Sequence, residues 1–191
     1  MARTILSPNQ TRLLEIIAND KEICHRFYLT GGTALAEFYL HHRLSEDLDF
    51  FSENEFDVQA VSVFFKKNKK IIGFGKIDYQ QSFNRNLFFV DFAGDIVKAE
   101  FTYFPFTEIQ PKTEIGDLRI DGALDIAVNK ILTIYQNPRA RDFIDVYCLH
   151  GEFGFAVGDL AKKARIKFDT HIDLLQLGSQ FLRAVEVKDY P

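Results

Sequence analysis

The sequence predicts a mixed α/β fold of the α+β kind: a mixed sheet flanked by helices, with a helical C-terminal part. Two observations carry this expectation. Short strand-like runs mix with helical ones up to about residue 120, and helical periodicity takes over from residue 122. No internal repeat or low-complexity tract interrupts the order. We therefore expect an α/β core over 1–120 and a helical part over 121–191 that completes the same site.

The elements follow in order. Ser7-Pro8 is a cap-and-proline start, and Leu13, Leu14, Ile16 and Ile17 recur at helical spacing, which predicts one helix through 7–27. "FYLT" (27–30) reads as a short strand ending at Gly31-Gly32. From Thr33, "TALAEFYLHH" is rich in helix formers. "DLDFF" (47–51) is a strand, and "DVQAVSVFFKKNKK" a helix whose lysine-rich end complements the helix dipole. "KIDYQQ", "NLFFVDFA" and "DIVKAEFTYF" read as strands linked by hairpins. The stretch 105–120 holds two prolines and predicts an irregular connection with a short strand near Leu118. Four helices are expected after it, over 122–136, 139–150, 157–167 and 171–187.

Composition narrows the function classes. A chain of 191 residues buries a real core without disulfides. Its net charge of −4 supplies no global basic field for nucleic acid. Cys24 and Cys148 lack metal-ligand spacing and read as free, buried, reduced thiols. No apolar run approaches the roughly 20 residues that span a bilayer. The N-terminus has no signal-peptide pattern, so a cytoplasmic protein without a membrane partner is expected.

The chemistry concentrates in "FYLTGGTALAEFYLHHRLSEDLDFF" (27–51). Paired glycines at a strand-to-helix turn admit positive φ and let backbone N–H groups approach a ligand. The helix start behind them favours anions such as phosphate, and Thr33 is placed to cap that helix or bind a phosphate oxygen. Asp47 and Asp49 are two apart on a strand and share one face, where their repulsion calls for a cation. Mg2+, or Mn2+, is the natural oxygen-liganded candidate; the alternative is a solvated acidic strand. On "DIVKAEFTY", Val97, Ala99, Phe101 and Tyr103 form the apolar face, which leaves Lys98, Glu100 and Thr102 opposite. Glu100 is the expected third ligand, with Asp91 its rival. Lys130 lies within an apolar helical pattern and needs a partner or a phosphate. Asp142 and Asp145 share a helix face beside Arg139 and Arg141; an ion-pair network with Lys130 is the other reading.

Together these stretches, over roughly residues 25–150, resemble the nucleotidyltransferase superfamily and, within it, the AbiEii/AbiGii-type abortive-infection toxins. The opening motif is "GGTALAEFYLHHRLSEDLDF", including Arg43, Ser45 and Asp47. "DIAVNK" and "RARDFID" are similar to the family's later lysine and its Arg-x-Lys-Asp-x-x-Asp motif, with Arg141 standing where lysine is usual. The resemblance implies a nucleotidyltransferase-type sheet and transfer of a nucleoside monophosphate from a nucleoside triphosphate (NTP), with pyrophosphate released. The resemblance further implies GTP binding or transfer onto RNA, including tRNA ends, and a cognate antitoxin as partner. In this reading two magnesium ions bridge Asp47, Asp49 and the triphosphate, with Glu100 completing one of them. Gly31, Gly32, Thr33, Arg43, Ser45 and Lys130 bind the nucleotide, and Asp142 and Asp145 orient Lys130 or act near the acceptor.

Three rival readings stand beside this one. A phosphohydrolase with an aspartyl nucleophile would use "DLDFF", but Phe51 occupies the place of its Thr or Val. A non-catalytic module would bind nucleotide or partner on the same fold. An enzyme of the same class would modify a protein or a small molecule. The basic runs Lys66–Lys70 and Lys162–Lys167 are candidate tracks for an RNA backbone, or else solvated helix faces.

Overall fold

The computed structural model describes residues 4–188. Helix α1 (Pro8–Ala18) opens with a capping box: Ser7 accepts from the Gln10 amide while the Gln10 side chain accepts from the Ser7 amide. The single expected helix is two. Asp20 accepts from the backbone of Glu22 and Ile23 and starts α2 (Lys21–Arg26) as a separate helix.

Seven strands form one mixed sheet: β1 (Tyr28–Thr30), β2 (Asp47–Ser52), β3 (Lys76–Ser82), β4 (Arg85–Phe92), β5 (Asp95–Tyr103), β6 (Thr113–Ile115) and β7 (Leu118–Ile120). Their order is β3-β4-β5-β2-β1-β7-β6. The β3-β4-β5 meander is antiparallel, as its punctuation predicts. The pairs β2/β5 and β1/β7 are parallel. Strand β6 departs from the expected irregular connection; its three residues are exposed, so no alternation announces it.

The pleat divides β2 and β5 into two chemistries. Leu48 and Phe50 face the same side as Ala99 and Phe101, under α4 (Val58–Ile72). There Phe65 of α4 stacks on Phe88 at 5.0 Å and lies edge-on to Phe101. Each such ring buries a large apolar area beside the aliphatic core residues. The opposite face carries Asp47, Asp49, Lys98, Glu100 and Thr102, and α5 (Ala123–Gln136) lies over it. The Lys66–Lys70 run is therefore behind the sheet, away from this polar face.

Between β1 and β2 the chain forms α3 (Gly31–Leu35) and a π-helical turn (Ala36–Leu40), so the helix begins at Gly31 and not at Thr33. His41, in the left-handed region at φ 50°, ends the turn. On the polar side of the sheet lie α5 and, packed with it, α6 (Ala140–Phe153), α7 (Val157–Lys167) and α8 (Leu174–Leu182), the last shorter than expected and followed by a 3-10 turn (Arg183–Val185). Helix α7 packs on α5, and Phe168 at its end meets Phe104 and Phe106. Among the described residues no helix is long and apolar enough to cross a membrane. Cys24 is buried and Cys148 only partly so; both are free thiols.

Candidate active site

A cleft of about 570 Å3 opens between the polar face of the sheet, the Gly31-Gly32 turn and the start of the helical part. Parallel register sets Asp47 beside Lys98 and Asp49 beside Glu100, so four charged side chains form a square on one face. The Lys98 ammonium is 2.8 Å from Asp47 and 3.9 Å from Glu100. Glu100 accepts both arms of the Arg85 guanidinium, at 2.7 and 2.6 Å, and the Thr102 hydroxyl at 2.8 Å. Burial works to raise the Glu100 carboxyl, and the Arg85 and Thr102 hydrogen bonds overcome it and hold it low.

Asp49 is the exception. No side-chain hydrogen bond or salt bridge engages it among the described residues. Burial, then the charges of Glu100 and Asp47, push its carboxyl up to about 6. It lies against the bare backbone of Gly31, where φ is +73° and an added Cβ would overlap Asp49 Oδ2. A Cβ on Gly32 would meet the Arg43 guanidinium instead. The two glycines thus admit two different side chains: Gly31 makes room for a carboxylate and Gly32 for a cation.

The donor set suits a hard divalent ion, because two carboxylates share a face and one has no ion-pair partner among the described residues, with Lys98 and Lys130 acting on it only through space. The three-carboxylate ligand set expected from the sequence is not assembled. Among the described residues no group of three or more His, Cys, Asp or Glu is gathered to hold a metal. Arg85 draws Glu100 into its own bidentate pair. Asp91, the rival ligand, accepts from the Gly94 amide in the β4–β5 turn and takes no part in the cleft.

Behind the cleft wall is a second cluster. Lys130 lies 2.7 Å from Asp142 and 2.7 Å from Asp145. Asp145 also accepts two bonds from Arg43, at 2.7 and 2.9 Å, and is 2.7 Å from His42 Nε2. Arg139 pairs with Asp142. Burial alone would raise both carboxyls. For Asp145 the Arg43 and His42 hydrogen bonds and the Lys130 charge override it; for Asp142 the charges and bonds of Lys130 and Arg139 do so. Asp145 is held well below the usual carboxylate range, and Asp142 is lowered from it. Both are also fully buried and absent from the cleft lining, so an acceptor cannot touch them. They orient cations. Lys130 itself lines the cleft, with one of its three ammonium donors left after the two aspartates.

Thr33 departs from expectation. It is fully buried, and its hydroxyl bonds Ser45 at 2.8 Å and the Asp47 carbonyl. It pins the approach to β2 and does not line the cleft. Ser45 lines the cleft, as expected. Sequence reasoning missed the cations Lys98 and Arg85, and also the aromatic wall of Phe51, Phe104 and Phe106. The lysine after "DIV" was visible on the polar face of β5, but its partner follows only from strand pairing. Six cations line the cleft (Arg43, Arg85, Lys98, Lys130, Arg139 and Arg141) against three carboxylates, and Asp142 and Asp145 behind the wall offset Arg43, Lys130 and Arg139, which leaves a small positive excess in an acidic chain.

Known proteins resemble this chain in sequence and in fold. The uncharacterized protein aq_aa25 of Aquifex aeolicus (strain VF5) is 33% identical over 149 residues, or 76% of this chain and 68% of that protein. JHP933 from Helicobacter pylori matches with a TM-score of 0.59 at 19% identity, covering 95% of this chain and 94% of its own. A second H. pylori structure, assigned to a nucleotidyltransferase, matches at 0.61 and 20% identity, covering 96% and 86%. At such identity the two structures speak for the fold. The family model for the nucleotidyl transferase AbiEii toxin of type IV toxin–antitoxin systems matches residues 12–189. Nearly the whole chain is matched, so this protein belongs to the AbiEii toxin family and is a nucleotidyltransferase.

Proposed function

We propose that the cleft moves a nucleoside monophosphate from an NTP to a hydroxyl of RNA, with tRNA ends the foremost acceptor, and that a cognate antitoxin opposes this activity. One observation carries the reading: an uncompensated carboxylate, Asp49, faces a glycine turn inside a cation-lined cleft. That combination suits a metal-bound triphosphate.

Asp47 and Asp49 would hold Mg2+ or Mn2+, which when bound supplies charge neutralisation and polarises the phosphoryl group under attack. The chain's own residues do the rest. The Gly31 and Gly32 amides, at the helix start, seat phosphate oxygens. Lys130, held by Asp142 and Asp145, presents its remaining N–H to the triphosphate, and Arg139 and Arg141 add charge at the cleft rim. Arg43 acts at one remove, by fixing Asp145 beside the Gly32 turn. Phe51, Phe104 and Phe106 offer an apolar wall on which a nucleobase can stack. This is catalysis by positioning and charge stabilisation.

Arg141, which lines the cleft with no ion-pair partner among the described residues, favours a polyanionic acceptor over a neutral one. Incubation with each labelled NTP, a divalent ion and total RNA or protein tests the reading. Label should enter RNA, and Asp47→Asn should abolish it. Label in protein would reassign the acceptor, and no transfer with any NTP would favour a binding module.

A further inference from the structure

We propose that Lys98 is a resident counter-cation that replaces one of the two divalent ions expected at this site, so that the cleft takes a single ion with each bound triphosphate. This rests on the metal-dependent reading above and concerns how many ions that reading requires.

The geometry argues for it on three counts. Lys98 stands opposite Asp47 in parallel register and on the same face, and its ammonium lies at 2.8 Å from Asp47 and 3.9 Å from Glu100. It thus lies between the two carboxylates that a second ion would share. Glu100 is already neutralised by the bidentate Arg85 and by Thr102. Asp49 alone is left to seek a charge.

Charge counting gives the same answer. Asp47, Asp49 and Glu100 carry three negative charges, and Lys98 with Arg85 returns two, leaving one. One divalent ion brings the square to +1. Two divalent ions without those side chains would reach the same +1, whereas two ions alongside them would reach +3. A divalent ion within about 4 Å of an ammonium, in a partly desolvated cleft, is repelled strongly. The pair also adds little as a mere strand tie. Strands β2 and β5 are already in register over six residue pairs, and partly exposed ion pairs stabilise weakly.

The test is Mn2+ titration of the full chain with a stoichiometric non-hydrolysable NTP analogue, read by calorimetry and by electron paramagnetic resonance. The parent and Lys98→Arg should each bind one Mn2+ per chain. Lys98→Met, which keeps the apolar stem, should bind two and show Mn–Mn dipolar broadening, and adding Glu100→Gln should remove the second ion. A melting curve without metal confirms that each variant is folded. Two ions in the parent would overturn the proposal while leaving the metal-dependent reading intact; that arm does not depend on any variant. One ion in both the parent and folded Lys98→Met would overturn it too, by showing that the lysine does not set the count. No Mn2+ binding in the parent beyond that of the free analogue would refute the metal-dependent reading itself, and this proposal with it.

Discussion

Two charge clusters sit on either side of the same cleft wall, and they differ in how fully each is compensated. In the Lys130 cluster, each buried aspartate meets at least two cations, and both carboxyls are held low. In the carboxylate square, two of three acids have resident cations, while Asp49 has none and is raised to about 6. A satisfied network stiffens the fold, and an unsatisfied one stores affinity for what is not part of the chain. The comparison assigns scaffolding to the aspartates of the first cluster, which hold Lys130 at the cleft, and metal chemistry to the second.

The largest expected effect breaks the scaffold. Asp145→Asn removes the carboxylate shared by Arg43, His42 and Lys130 and should lower unfolding free energy by about 3–5 kcal/mol in a urea titration. Lys130→Met should follow it in direction, because it leaves Asp142 and Asp145 without their common ammonium. A stable Lys130→Met would contradict the scaffold assignment.

The adjacent glycines sharpen the contrast at one-residue resolution. Gly32→Ala pushes on Arg43 and should cost stability, by about 1–3 kcal/mol, through the scaffold. Gly31→Ala adds strain at positive φ and displaces Asp49. It should lower nucleotide affinity about tenfold or more in calorimetry. Equal effects of the two on both readouts would dissolve the distinction.

The two clusters should also titrate with opposite signs. Asp145, held low when folded, contributes stability that is present above the ordinary carboxyl value near 4 and lost as pH falls below it. Asp49, raised when folded, contributes stability that is present below about 4 and lost as pH rises through about 6. Urea midpoints from pH 3 to 8 should therefore show Asp145→Asn converging on the parent at low pH. Asp49→Asn should match or exceed the parent above pH 6. The same sign for both would contradict the assignment.

What the sequence disclosed depended on the range of the interaction. Asp47 and Asp49 on one face, Glu100 against the β5 alternation, and Asp142 with Asp145 are short-period patterns, and each appears where the period places it. The Lys98 and Arg85 pairings were hidden, because they follow from β5 lying parallel to β2 and antiparallel to β4. Thr33 was misjudged because its burial is set by the Ser45 approach, twelve residues on. The break between α1 and α2 was legible in Asn19-Asp20, a helix-start signal inside an otherwise continuous periodicity.

Lys167 shows the same limit. It looked like part of a surface run with Lys162, Lys163 and Arg165, yet its side chain is 3% exposed and pairs with Asp125 at 2.6 Å. Lys162, by contrast, makes an exposed pair with Asp159. Only Lys162, Lys163 and Arg165 remain candidates for RNA on α7. The smallest effect should be theirs: replacing all three with alanine should leave the urea midpoint unchanged while flattening the salt dependence of RNA binding.

The central claim is that the unpaired Asp49 exists for a metal-bound triphosphate. Calorimetric titration of a non-hydrolysable NTP with Mg2+ into the parent and into Asp49→Asn, alongside a urea melt at pH 8, tests it most directly. The account predicts that the variant loses the binding heat while its urea midpoint is equal to the parent's or higher. Undiminished heat in a folded Asp49→Asn protein would contradict it.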